Sequence, residues 1–324
     1  MHFLKKEKSM DKIIEKLKSA QSVAILPHIS EDGDAAGSCF AMAHILRKMG
    51  KKATVYANAE FEERLGFLGN DYVVYTPDTE VECDLCVCLD CGDIKRLGER
   101  AQLLERTGNS VNIDHHYSNT LYAQENYVEG NASSTGEVLY GIFEKMGVAL
   151  DTQAARFLYT AICSDTGCFK FSSVSPKTMQ IASKLIEYKI GHDAIARALF
   201  DTYTIEEIKL RARVMSTIES YCNNKVRVVY LSNKMLEEFG IDQKNTPSIV
   251  DIARGVKGTE IAIALIENEE EIRVNLRANE YADVSKIASQ FGGGGHVRAS
   301  GFRARGTNVE ELKKKLIEAC LLQL

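Results

Sequence analysis

The chain has 324 residues, 45% of them hydrophobic, with a formal net charge of −5 and an isoelectric point near 5.9. That length exceeds a comfortable single core and points to two domains, with an apolar fraction ordinary for a soluble globular protein. The acidic balance argues against wrapping a long duplex, which needs many phosphates neutralised by Lys and Arg, and leaves short or mononucleotide ligands open.

In chain order, the apolar run at residues 22–27 reads as a buried β-strand, followed by the acidic loop His28-Ile-Ser-Glu-Asp32-Gly-Asp34. A helix from Ala36 ends at Gly50, residues 52–57 form a strand, 60–68 a short helix and 72–75 a short extended piece. A strand at 84–89 ends in Asp90, a helix lies near 99–106, and a strand at 110–113 runs into Asp114-His115-His116. This βαβ alternation predicts an α/β fold with a largely parallel sheet, whose strand ends form the ligand crevice. Residues 134–189 read as helical, with Asp165 just beyond a helix, and 193–221 as one long charged helix without Gly or Pro, suited to a connector. Past Asn223-Asn224 the pattern resets to strands at 225–231, 260–266 and 272–277, the last two a hairpin, with helices near 248–254, 283–290 and 309–322, a smaller α+β domain. The expected organisation is a catalytic domain at 1–190, a helical linker at 191–222 and a second domain at 223–324.

No window reaches the ~18–20 apolar residues of a membrane span, and the start, Met1-His-Phe-Leu-Lys-Lys, lacks a signal peptide's apolar region. A cytoplasmic protein with no membrane partner is expected. Nine cysteines without a secretory signal read as reduced thiols. Cys83, Cys86, Cys88 and Cys91 resemble a metal cluster, but strand alternation would place Cys86 and Cys88 on one face and Cys83 and Cys91 on the other.

The chemistry concentrates where the apolar runs stop. Three successive strand ends carry carboxylates and imidazoles, and Asp165-Thr-Gly adds another carboxylate. Singly, each has an ordinary explanation as a helix cap or a solvated loop. Together they supply oxygen and nitrogen ligands without a committed thiolate, the set that suits two divalent cations, Mn²⁺ best and Mg²⁺, Fe²⁺ or Co²⁺ also. Asp32 and Asp34 can point at neighbouring ions and Asp90 can bridge them. A water between such ions loses a proton readily, and the hydroxide attacks phosphorus. Acidic side chains outnumber basic ones up to residue 222 but not beyond, so the second domain is the better anion holder, through Arg273, Arg277, His296 and Arg298. The run Gly292 to Gly295 before His296 lacks every Cβ, so backbone N–H groups can approach a phosphate or base closely. His2, His44 and His192 fall outside these clusters.

The ordered set His28-x-x-x-Asp32-x-Asp34-x-x-Gly37-Ser38, Asp90, Asp114-His115-His116 and Asp165-Thr-Gly resembles the motifs of the DHH phosphoesterase family, and Gly292 to His296 resembles the signature of its associated C-terminal domain. The resemblance spans nearly the whole chain and fits the small bacterial nanoRNase and pAp phosphatase branch. It implies an active site in a cleft between the two domains, with His28, Asp32 and Asp90 holding one metal and Asp34, Asp90, His115 and Asp165 the other. His116 would contact the scissile phosphate and assist the leaving group, with Asp114 orienting an imidazole. Arg277, Gly293, Gly294, Gly295 and His296 would grip the substrate, with Arg298 a weaker candidate. The implied activity is Mn²⁺-dependent hydrolysis of very short oligoribonucleotides to mononucleotides, with pAp as a further substrate. Linear or cyclic dinucleotides are an alternative, and a catalytically silent nucleotide-binding regulator is a reading from another class. Oligomeric state, a homodimer included, is left open. Where the family often has Pro before the first motif aspartate this chain has Glu31, which bears on loop rigidity. Residues 132–137, Ala-Ser-Ser-Thr-Gly-Glu, are similar to a family stretch near the site.

Overall fold

The computed structural model describes residues 2–242 and 248–324, with side chains from residue 8 onward, so the side chain of His2 lies outside the described residues. It divides into two compact units, 1–202 and 203–324.

The first unit is built on six parallel strands: β1 (Ser22–Leu26), β2 (Lys52–Ala57), β3 (Val73–Val74), β4 (Leu85–Leu89), β5 (Ser110–Asp114) and β6 (Glu125–Val128), in the order β3-β2-β1-β4-β5-β6. The order reverses between β1 and β4, and that switch point is where an open parallel sheet leaves a crevice at its carboxyl edge. Side chains alternate along the strands, so Val23, Ile25, Val87 and Leu89 face one layer and Ala24, Leu26, Cys86 and Cys88 the other. The first layer is formed by α1 (His2–Ser19), α2 (Gly33–Lys48), α4 (Thr135–Met146) and α5 (Thr152–Asp165), with α6 (Pro176–Ile186) and α7 (His192–Phe200) outside them. The second is thinner, a 3₁₀ segment Ile94–Ala101 and α3 (Gln102–Thr107).

Helix α5 carries Asp165 as its last residue, and three glycines let its neighbours approach it closely. A Cβ on Gly37 of α2 would sit 2.6 Å from Phe157 O and 2.9 Å from Ala161 N, one on Gly33 2.5 Å from Ser164 Oγ, and one on Gly136 of α4 2.5 Å from Ala161 Cβ. These contacts fix the end of α5 against the loops after β1 and before α4.

The expected single helix over 193–221 is instead α7, α8 (Ile205–Met215) and the short strand β7 (Glu219–Tyr221). The break falls at residues 201–204, where Thr204 starts a new helix by a reciprocal capping box with Glu207. The second unit holds a mixed sheet of β7, β8 (Val226–Leu231), β9 (Ile261–Glu267), β10 (Ile272–Ala278), β11 (Gly294–His296) and β12 (Ala299–Ala304), in the order β11-β12-β10-β9-β8-β7, with β8 and β9 parallel and β9–β10 the expected antiparallel hairpin. Helices α9 (Asn233–Glu238), α10 (Val250–Arg254), α11 (Val284–Gln290) and α12 (Val309–Leu321) complete it. Among the described residues no helix is long and apolar enough to cross a membrane.

The four clustered cysteines correct one expectation. Cys86, Cys88 and Cys91 share one hydrophobic cluster with Cys83 packed against it. Alternation governs only residues inside β4, and Cys83 and Cys91 lie beyond its ends, where the chain turns.

Candidate active site

Three loops at the carboxyl edge of the first sheet and the end of α5 bring together every acidic and imidazole residue singled out in the first half of the chain. His28 Nε2 lies 3.6 Å from Asp90 Oδ2 and 3.8 Å from Asp32 Oδ2. His115 Nε2 lies 3.3 Å from Asp165 Oδ2, 3.6 Å from Asp90 Oδ1 and 3.8 Å from Asp34 Oδ2. The ligand-type atoms converge in three overlapping groups, His28 with Asp32 and Asp90, Asp34 with His115 and Asp165, and Asp90 with Asp114, His115 and His116, and Asp90 of the first lies 3.6 Å from His115 of the second.

Each ring is oriented by its other nitrogen. His28 Nδ1 donates to Ile29 O at 2.7 Å and His115 Nδ1 to Ala132 O at 3.3 Å, which leaves both Nε2 atoms facing carboxylates. Asp32 caps α2, accepting from the N–H groups of Asp34 and Ala35 through Oδ1 and leaving Oδ2 toward His28. Asp34 is fully buried and accepts from Thr135 N (2.7 Å), Gly136 N (3.0 Å) and Ser38 Oγ (3.0 Å). Asp90, also buried, sits at φ +54°, a left-handed conformation that Asp tolerates better than most residues, and takes the Thr135 hydroxyl at 3.0 Å. Thr135 therefore braces a carboxylate of each group, while Ser134 beside it caps α4. Nothing in the spacing of Thr135 announced this role, although it lies in the stretch similar to the family.

Burial pushes Asp34 well above the usual carboxylate range, reinforced by Asp90 and Asp165, and it pushes Asp90 up likewise, reinforced by Asp32. Burial also raises Asp165, to about 6, against the lowering effect of His115. Burial opposes protonation of His115, but Asp34 and Asp165 outweigh it and the imidazole is held above its ordinary value. Converging buried carboxylates with two imidazole Nε2 atoms form a donor set that cations would neutralise, so these residues fit divalent metal ions.

His116 stands beside this set. Its Nδ1 donates to Asp114 Oδ1 at 2.7 Å and lies 3.7 Å from Asp90 Oδ1. Burial lowers its proton affinity, the Asp114 hydrogen bond and Asp90 raise it more, and the net shift is upward. Asp114 is held in turn by His115 N and by Asn119 Nδ2 at 2.6 Å. Burial would raise its carboxyl, but His116 and Asn119 hold it below the usual range. The amide of Asn119 also donates to Asn112 Oδ1, and no motif pointed to it.

Glu31 is buried and ties the β1 loop inward. Its Oε1 accepts from Asn58 N at 2.7 Å and lies 3.7 Å from Nη1 of the equally buried Arg100, which also bonds Tyr56 O and Leu97 O. Arg100 follows Asp90 in the chain, so this pair fastens the His28–Asp34 loop to the segment after β4.

In the second unit Arg277 is partly buried on β10, its Nη1 on Leu276 O, and burial lowers its proton affinity. Both terminal nitrogens of Arg298 serve backbone carbonyls, Ala282 O and Glu280 O, so it braces the turn before α11. The glycine run is an edge strand more than a loop. Gly294 to His296 pair with β12, and a Cβ on Gly293 would meet Gly301 O and Phe302 Cβ at 2.3 Å. Part of the need for glycine is thus close packing on β12. Gly294 has open space around it, and His296 is exposed.

A model of the DHH family, N-terminal domain, matches residues 22–162, and one of the DHHA1 domain matches residues 223–321. The chain is 30% identical over 291 residues to the "Probable bifunctional oligoribonuclease and PAP phosphatase NrnA" of Streptococcus mutans, an alignment covering 89% of this chain and 91% of that protein. It is 27% identical to the "Bifunctional oligoribonuclease and PAP phosphatase NrnA" of Bacillus subtilis, with the same coverage. The crystal structure of an exopolyphosphatase-related protein from Bacteroides fragilis matches it with a TM-score of 0.91 at 26% identity over 98% of both chains. With both domains matched in series and likeness over nine-tenths of a 30%-identical relative, this chain belongs to the DHH family of metal-dependent phosphoesterases.

Proposed function

We propose that the protein is an Mn²⁺-dependent phosphodiesterase that trims very short oligoribonucleotides to mononucleotides and also releases phosphate from pAp. The observation that carries the reading is Asp90, 3.6 Å from His28 on one side and from His115 on the other, linking two ligand groups into one centre. The names of the relatives from S. mutans and B. subtilis support the substrate class.

His28, Asp32 and Asp90 would hold one cation, and Asp34, Asp90, His115 and Asp165 the other. Two such cations, when bound, would supply a nucleophile at neutral pH and stabilise charge on the phosphoryl oxygens. The donor set contains no thiolate, which favours Mn²⁺ or Mg²⁺ over a structural zinc site. His116, whose proton affinity Asp114 raises, donates a proton to the leaving oxygen. Asp114 holds the ring in place without touching substrate. Arg277 and His296, with the backbone of Gly293, Gly294 and Gly295, bind the phosphate and base of the substrate, and Arg298 shapes their surroundings. The acidic net charge fits a short substrate with few phosphates better than a long one.

The test is a time course with Mn²⁺ on a 5′-labelled RNA trimer beside a 24-mer, resolving every product length, with pAp, pApA and cyclic di-AMP run in parallel. Rapid loss of the trimer with a nearly inert 24-mer is expected. Equal rates on both RNAs, or turnover of the cyclic dinucleotide alone, would overturn the substrate assignment.

A further inference from the structure

Opposite the catalytic edge, where β4 begins, the sequence reads Cys83-Asp84-Leu85-Cys86, and the structure brings the two thiols together. Cys83 Sγ and Cys86 Sγ are 3.7 Å apart, and the Thr107 hydroxyl lies 3.3 Å from each. The two differ in access: Cys86 is fully buried, with Leu103 O 3.5 Å from its sulfur, whereas Cys83 is partly exposed. The turn between them is anchored, because the Asp84 carboxylate accepts from Gln21 N and Ser22 N and its carbonyl accepts from Asn109 Nδ2. The proposed hydrolysis uses neither thiol.

We infer that Cys83 and Cys86 form a reversible redox site, in which a peroxide oxidises the accessible Cys83 and the buried Cys86 resolves the product to an intramolecular disulfide. The hydrogen-bonding contact with Cys86 outweighs burial and holds Cys83 below the ordinary thiol range, while the same contact and burial push Cys86 up, so the accessible sulfur is the one that ionises more readily. An accessible, ionised thiol beside a second thiol is the arrangement of sensing and resolving cysteines. The Cys83 thiolate attacks the peroxide O–O bond, takes one oxygen as a sulfenic acid and releases the other as water. The Cys86 sulfur then attacks the Cys83 sulfur, its proton leaving with the displaced hydroxide as a second water. Two thiols and one hydrogen peroxide thus yield one disulfide and two waters, and a small dithiol reverses the change. Bond formation shortens the sulfur separation to about 2.05 Å, a movement the partly exposed Cys83 can make.

The test is titration of the folded, full-length protein with hydrogen peroxide, followed by thiol counting and intact mass. The expected result is loss of two of the nine thiols at one equivalent, a mass decrease of about 2 Da for the two hydrogens lost on disulfide formation, and full recovery with dithiothreitol. Cleavage before aspartate separates the peptide ending at Cys83 from the one beginning at Asp84, so the disulfide should hold these two peptides together until reduction, in C88S as in the native chain. C86S should instead accumulate a dimedone-reactive sulfenic acid at Cys83. Retention of all nine thiols, a link mapped to Cys88–Cys91 or Cys163–Cys168, or C83S oxidising as readily as the native chain would each overturn the assignment.

Discussion

Asp114 Oδ1 accepts the Nδ1 hydrogen of His116 at 2.7 Å, and the same oxygen accepts the backbone N–H of His115 at 2.8 Å. One carboxylate thus sets the position of two neighbouring imidazoles with different tasks. D114N keeps the size of the side chain and removes the charge that raises His116. We expect kcat to fall by roughly 10–100-fold, the size of loss seen when the hydrogen-bond partner that orients a functional histidine is removed, and the basic limb of the kcat–pH profile to move to lower pH. A lower kcat with an unmoved profile would mean that His116 is not the proton donor.

Gly37 offers a test of how α2 is seated. G37A puts a methyl 2.6 Å from a backbone carbonyl of α5, which cannot swing aside. Overpacking of this kind costs about 1–3 kcal/mol, and displacing Asp165 from Asp34 should lower activity further, on the order of 100-fold for a shift of about 1 Å. G141A, in α4 with nothing beyond its own stretch of helix within 4 Å of the new methyl, is the control and should stabilise by roughly 0.5–1 kcal/mol with activity unchanged. Thermal melts and kcat of the two variants check both arms.

The Glu31–Arg100 pair should behave as a buried ion pair. Removing one partner, in E31Q or R100M, should destabilise by up to about 3–5 kcal/mol by leaving the other charge uncompensated, and the double variant should lose less than the sum of the two. Urea unfolding of the four proteins measures the cycle, and additivity would show that the pair does not act as one unit. Because the pair fastens the loop carrying Asp32 and Asp34, the Mn²⁺ concentration for half-maximal activity should rise in E31Q.

Asp34, Asp90, Asp165, His115 and His116 all have folded-state pKa values raised above their ordinary ones in the metal-free protein, Asp165 to about 6. The folded state therefore holds these protons more tightly than the unfolded chain does. Their stabilisation is complete below the unfolded values, roughly 3.9 for the carboxyls and 6.5 for the imidazoles, and is lost as pH rises through the folded ones. Asp114, shifted downward, acts with the opposite sign, and only near or below the ordinary carboxyl range. The metal-free Tm should therefore fall between about pH 5 and 8, and saturating Mn²⁺ should flatten or reverse the slope. An identical slope with and without metal would place the cations elsewhere.

The ligand residues were legible because each stands where an apolar strand run stops, and the parallel sheet carries those strand ends to one edge. What braces them was not. Asn119 and Thr135 are ordinary polar residues in sequence; Asn119 folds back on Asp114 at the end of β5, and Thr135 reaches Asp90, 45 residues earlier in the chain. Strand β6 is only four residues long, and α1 begins in a Lys-rich stretch. The break before α8 was legible in principle, since Thr204-Ile-Glu-Glu207 is a capping-box sequence, but the absence of Gly and Pro outweighed it. For the four cysteines, alternation holds only within β4, and Cys83 and Cys91 lie outside it.

The most direct measurement is metal stoichiometry and single-turnover hydrolysis of the RNA trimer, compared between the native chain and D90N. Asn tolerates the left-handed backbone of position 90 as Asp does, so the variant should fold, with a metal-free Tm equal to or above that of the native chain. Two Mn²⁺ per native chain are expected, no more than one in D90N, and turnover lowered by on the order of 10³-fold or more. Two tightly held ions in D90N with near-native turnover would contradict a centre joined through Asp90.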